Sequence, residues 1–136
     1  MGRHELREQV FKLLFRVEFN KAEDMPEQVR LFLEDSENIA SEKDGAYIEA
    51  KYEKVLEKLK DIDRLLNENT EGWDTTRMGK VELAVLRLAV YEIRYDEDIP
   101  ASVAINEAVE IAKLYGQENS GSFVNAVLGK IARLGD

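Results

Sequence analysis

The chain has 136 residues, 28 of them Asp or Glu against 19 Lys or Arg, for a formal net charge of −9. That length builds one domain with a buried core and leaves no space for a nucleotide-binding domain beside it, and the acid excess repels polyanions, which argues against a general nucleic-acid binder. With no cysteine and a single histidine, His4, thiolate catalysis, disulfides and the usual zinc clusters drop out, so neither a metal nor another cofactor is expected.

Two prolines, few glycines and apolar residues recurring at spacings of three and four predict an all-α fold. A first helix over 3–19 carries Leu6, Val10, Leu13, Leu14 and Val17 on one stripe. Its charges run against the overall balance: residues 1–21 hold five basic side chains (Arg3, Arg7, Lys12, Arg16, Lys21) against three acidic ones (Glu5, Glu8, Glu18). Arg3 and Arg7 flank the stripe beside Phe11 and Phe15, while Lys12 and Arg16 point away. Arginines beside rings suit RNA, because guanidinium groups fork onto phosphates and rings stack on splayed bases. Plain core packing for the rings and solvation for the arginines explain the same pattern.

A short second helix follows Pro26, a residue suited to a helix's first turn, and buries Val29, Leu31 or Phe32, and Leu33. The polar stretch from Asp35 to Gly45 reads as a loop. A long third helix over 46–68 carries Ile48, Tyr52, Val55, Leu56, Leu59, Ile62, Leu65 and Leu66. Asn69 to Thr76 breaks it, with Trp73 expected to pack the turn onto the core. The fourth helix, over 77–95, is apolar nearly all round and should be the central buried element. On a helical wheel Arg87 falls between Leu83 and Tyr91 and Glu92 between Val85 and Leu88, about 140° apart, too far to pair with each other. Each needs a partner elsewhere, since unpaired buried charge is costly, and Glu107 is a candidate for Arg87. A fifth helix over 101–115 buries Ala104, Ile105, Ala108, Val109, Ile111, Ala112 and Tyr115, and a sixth over 120–134 buries Phe123, Val124, Val127, Leu128, Ile131 and Leu134.

Chemistry-bearing constellations are scarce. Gly116 and Gly121 are isolated and follow no strand, Ser120 and Ser122 lack a histidine partner, and the carboxylates lie mostly on polar helix faces. No catalytic residue is expected and the chain does not read as an enzyme. The loop Gly116–Gln117–Glu118–Asn119–Ser120–Gly121–Ser122 offers a left-handed C-cap at Gly116 and an N-cap at Asn119 or Ser120. The same helix start presents backbone N–H groups that can hold phosphate, with Lys113 adding a positive charge one turn earlier.

The run from Pro100, P-x-x-V-A-I-N-E-A-V-E-I-A-K, followed by Y-G-x-E-N-S-x-x-F-V-N-x-V-L, resembles the NusB family of bacterial transcription antitermination factors. Val85, Leu86, Arg87, Leu88, Ala89, Val90, Tyr91, Glu92 and Ile93 resemble that family's core helix, so the likeness is strongest over residues 77–132. It implies a single all-α NusB-like RNA-binding domain across the chain, two small helical bundles around a central buried helix. It also implies the function: binding boxA RNA of ribosomal leader transcripts together with NusE, a small-subunit ribosomal protein, within the antitermination complex of RNA polymerase.

By the same resemblance the RNA-binding residues are Arg3, His4 and Arg7 in the first segment and Lys113, Asn119, Ser120 and Ser122 around the last turn. Glu82 is expected to be a partner-binding residue, and the wheel positions make Arg87, Glu92 and Glu107 the expected structural buried charges. Arg7-Glu8 matches the family's R-E, and Phe15 stands where an aromatic is usual. The arm is thin: many relatives carry three or more consecutive basic residues where this chain has Gly2, Arg3, His4 and Glu5, and His4 adds charge only below about pH 6.5. An acidic residue is common in relatives where this chain has Asn119, and the amide removes one repulsion against phosphate. Two alternatives stand beside this reading. One is a helical dimerisation module, a homodimer that buries the arginine flank. The other is the NusB-like fragment of an RNA-modifying methyltransferase, for whose cofactor domain this length leaves no room. No apolar run approaches bilayer length and the N-terminus lacks a signal-peptide core, which predicts a cytoplasmic protein without a membrane partner.

Overall fold

The structure, a computed structural model, describes residues 1–35 and 41–134, and the described residues form seven α-helices. The chain divides into two compact units, Met1–Leu56 and Glu57–Asp136.

The first unit contains α1 (Arg3–Val17), a 3-10 turn (Ala22–Asp24), α2 (Met25–Glu34) and all but the last residue of α3 (Glu42–Glu57). Helices α1 and α2 pack together. Val10, Phe11, Leu13 and Leu14 are buried on the first, and Met25, Val29 and Phe32 on the second, so of the pair Leu31 and Phe32 it is the ring that goes inward. Pro26 sits in the first turn of α2, where its missing N–H costs nothing. The polar loop expected from Asp35 to Gly45 lies partly outside the described residues, and its end is helical: α3 begins at Glu42, with the Ser41 hydroxyl accepting the Asp44 N–H at 3.1 Å. A short polar segment loses to a helix start here because Ser41 supplies the cap and two acids, Glu42 and Asp44, favour the positive end of the helix.

The single long helix expected over 46–68 is two helices, α3 and α4 (Leu59–Glu68), interrupted at Lys58, whose φ of −104° and ψ of 7° leave the helical region. No glycine or proline marks the break, and the apolar spacing runs through it, so the pattern carries no sign of it.

In the second unit α6 (Ala101–Tyr115) packs on α7 (Ser120–Ala132), both pack on α5 (Lys80–Tyr95), and α4 lies against α5. Every residue of α5 from Leu83 to Glu92 is buried. Ala104, Ala108 and Ala112 give α6 a stripe of small buried residues, at the four-residue spacing that lets a neighbouring helix approach closely. The outer ends depart from expectation. Tyr115 is 38% exposed and Leu134 49% exposed, the latter because α7 stops at Ala132 and the chain beyond it no longer faces the helix layer.

The turn between α4 and α5 also differs. Trp73 is 57% exposed and does not pack the turn onto the core. Polar bonds hold it instead: the Thr70 hydroxyl donates toward the carbonyl oxygens of Leu66 and Trp73, the Asn67 amide oxygen accepts the Thr75 N–H at 2.8 Å, and Gly72 takes a φ of 74°. Local side-chain bonds close this turn without apolar burial.

Within the buried helix the Arg87 guanidinium forks onto Asp63 of α4, Nε to Oδ1 at 3.0 Å and Nη2 to Oδ2 at 2.9 Å. The apolar pattern does not mark Asp63 as a partner; of the other charges expected to be buried, Glu107 is half-buried on α6 and Glu92 is 2% exposed on α5. A bidentate fork of this kind orients the helices it joins as well as neutralising the charge.

Candidate functional site

Helix α1 begins without a side-chain cap, since Gly2 precedes it in extended backbone. Its first residues Arg3 and His4 are exposed, and Arg7, one turn later, is 8% exposed. The helix therefore turns its basic edge inward as it proceeds, because Arg7 shares a flank with Phe11, itself buried. Phe15 lies with its ring centroid 6.1 Å from Phe11 and 4.9 Å from the exposed Phe19, a tilted ladder of three rings along the helix. Arg16 does not point away as the wheel suggests. Its Nη1 donates to Gln28 Oε1 at 3.2 Å and its guanidinium carbon sits 5.2 Å from the centre of the Phe32 ring, which ties α1 to α2. The terminal ammonium is also engaged, 3.2 Å from Asp44 Oδ2 at the start of α3. In the first turn of α1 the exposed basic side chains are therefore Arg3 and His4.

The second group lies at the turn from α6 to α7. Lys113, Asn119 and Ser122 are exposed, whereas Ser120 is 1% exposed. The Ser120 hydroxyl accepts the Gln117 N–H at 2.8 Å and donates to Glu82 Oε1 at 2.9 Å, while the Ser120 N–H bonds to the Gln117 carbonyl at 3.0 Å. Ser120 is thereby a pin of the turn, and its hydroxyl is already used. Asn119 precedes α7 and makes no side-chain capping bond, which leaves its amide at the surface. Gly116 is not left-handed: its φ is −94° and ψ −159°. Glycine is needed there for space, since a Cβ would stand 2.6 Å from both the Ala112 carbonyl oxygen and Ser120 Oγ.

Glu82 lies in the first turn of α5, and its Oε2 is 2.7 Å from where a Cβ on Gly79 would be, so the carboxylate folds back over the start of its own helix. Through Ser120 it also meets the start of α7. One carboxylate thus serves two helix N-termini, whose partial positive charges favour it. Part of the potential that could attract phosphate at this turn is already balanced by Glu82.

The structure gathers Arg3, His4 and Arg7 on α1 of the first unit, and Lys113, Asn119, Ser120 and Ser122 at one turn of the second. The reading from sequence missed the pinning of Ser120 by Glu82, whose distance in the chain gives no local signal, and the Arg16–Phe32 contact. Among the described residues no group of three His, Asp or Glu side chains is placed to hold a metal ion, and no helix is long and apolar enough to cross a membrane.

Comparison with known proteins gives this geometry a context. The sequence pattern of the NusB family matches residues 4–133. The chain is 48% identical over 132 residues to the transcription antitermination protein NusB of Agathobacter rectalis, covering 97% of this chain and all of that protein. It is 45% identical to that of Lachnoclostridium phytofermentans, covering 96% of this chain and 98% of that one. Among solved structures, T. maritima NusB superposes with a TM-score of 0.88 at 39% identity, covering 98% of this chain and 92% of that chain. A NusB solved as antitermination factors NusB and NusE in complex with double-stranded RNA gives 0.84 at 25% identity over 96% of both chains. An all-helical chain matched along nearly its whole length, in sequence and in structure, by these proteins belongs to the NusB family.

Proposed function

We propose that this protein is an RNA-binding transcription antitermination factor that works by binding and performs no catalysis. It takes boxA RNA of ribosomal leader transcripts jointly with NusE and, in the cytoplasm, brings them to the antitermination complex of RNA polymerase. The observation that carries this reading is the likeness, over 96% of both chains, to a NusB solved with NusE and RNA.

The electrostatics agree with a shared task. A net charge of −9, an arm that exposes Arg3 but buries Arg7, and a turn whose helix ends are partly balanced by Glu82 together make a weak RNA surface. Such a surface reaches useful affinity when a second subunit contributes its own contacts at high effective concentration. Glu82, which we propose as a partner-binding residue, already holds the turn proposed for RNA through Ser120, so the two proposed tasks meet in one side chain.

A fluorescence titration of boxA-like single-stranded RNA, with and without NusE, tests the proposal. RNA affinity should rise with NusE present, and the RNA should tighten the protein–protein association by the same factor, about 5- to 150-fold for ordinary couplings. Equal RNA affinity in both titrations would overturn the adaptor reading. Size-exclusion chromatography across a concentration series separates it from the dimerisation module, for which a homodimer that excludes RNA is the expected behaviour.

A further inference from the structure

Gly121 has no backbone reason to be glycine. Positive φ among the described residues is confined to Gly72, and Gly121 lies in the first turn of α7 in ordinary helical geometry. Glycine is the poorest helix former after proline, so its place there calls for another cause. A Cβ added at Gly121 would stand 3.1 Å from Lys113 Cγ, 3.4 Å from Lys113 Cε and 3.6 Å from Val109 Cγ1. The lysine stem therefore lies across bare backbone at the start of α7. Gly121 is buried by this cover while Lys113 remains exposed as a residue. A lysine side chain ordinarily samples many rotamers, and laying its methylenes on a flat seat restricts them before any ligand arrives.

We propose that Gly121 is a positioning residue for RNA: the side chain it lacks gives Lys113 a seat that holds the ammonium beside the first turn of α7. A phosphate at that turn would meet a cation already in place next to the exposed Asn119 and Ser122. This rests on the RNA-binding function proposed above and assigns a role to a residue that touches no RNA itself.

Substitution at Gly121 should move stability and binding in opposite directions. G121A places a better helix former in α7, so its melting temperature should hold or rise, while RNA affinity falls severalfold as the lysine is pushed off its seat. K113M keeps an apolar stem without the charge and should lower the slope of log affinity against log salt by about one unit. The double variant should bind RNA no worse than K113M, because the seat matters only through the ammonium. Relaxation of the Lys113 Cε resonance gives a readout that needs no RNA and should show greater mobility in G121A than in the parent protein.

The titrations use the full chain and boxA-like single-stranded RNA in the presence of NusE. If the parent protein binds no RNA, the proposed function falls and this inference falls with it. If the parent binds and K113M binds equally well, Lys113 is no phosphate contact and the seat has no RNA role. If K113M loses affinity but G121A does not, or if the two losses add, only the positioning role is overturned.

Discussion

The α1 arm and the α6–α7 turn, the two segments proposed to meet RNA, divide charge and rigidity differently. The arm carries more basic residues in its sequence, yet its structure spends some of that charge on packing: Arg7 is buried, Arg16 lies over Phe32, and the terminal ammonium meets Asp44. The turn is poorer in charge, with Lys113 its one basic residue, but it is fixed by Ser120 at its centre, buried and bonded in both directions. Counting basic residues along a segment overstates its pull on RNA when a helix turns some of them toward its own core. Backbone fixed in advance supplies binding at lower ordering cost, even with little charge.

The largest expected effect lies beneath the turn. Arg87→Ala would leave Asp63 without its fork partner in a mostly shielded place and should destabilise the fold by about 2 to 4 kcal/mol, measured by urea unfolding. A loss below about 0.5 kcal/mol would show that water replaces the guanidinium freely and that α4 is not held to α5 by charge.

Next comes the pin itself. Ser120→Ala removes the donor to Glu82 and the acceptor for Gln117 N–H, both at a buried position, and should cost about 1 to 3 kcal/mol while weakening RNA binding through a loosened turn. If stability fell but RNA affinity and its salt slope stayed at parent values, the turn would be scaffolding alone and the arm would carry the RNA.

On the arm, Arg3 and Arg16 should separate cleanly. Arg16→Ala should lower stability by about 0.5 to 1 kcal/mol through the lost cation–ring contact, with RNA affinity unchanged. Arg3→Ala should leave the melting temperature in place and reduce the log–log salt slope by about one unit. An exchange of these two phenotypes would mean that exposure is a poor guide to RNA contact in this helix.

A small effect of opposite sign is expected at Asn119. Asn119→Asp puts a carboxylate at the start of α7, where it should stabilise the helix by a few tenths of a kcal/mol up to about 1 kcal/mol. The same charge should repel phosphate, so RNA affinity falls as stability rises, and binding of NusE without RNA stays nearly intact. Loss of NusE binding in this variant would place the turn in the protein interface.

Much of this molecule was legible before any coordinates, and the reason is periodicity. The stripe on α1, the nearly all-apolar α5 and the alternation of α6 each report burial, because burial on a helix repeats every three or four residues. Spelling added the family, since the run through Asn106, Glu107, Tyr115, Gly116 and Asn119 is more specific than any hydrophobic pattern.

What the residues alone determined was therefore the helical class and the buried identity of α5, and they marked the two segments proposed here to meet RNA. Only the tertiary structure decided which charges in those segments are spent. The break at Lys58 occurs in sequence of unbroken helical pattern; Trp73 stays exposed because polar bonds close its turn; Arg87 finds Asp63, and Ser120 finds Glu82, across helices. Pairings of this kind join residues 24 and 38 positions apart, where local propensity carries no information, and geometry selects one acid among many of equal chemistry. A helical wheel shows that Arg87 must be buried; which carboxylate meets it depends on how α4 crosses α5.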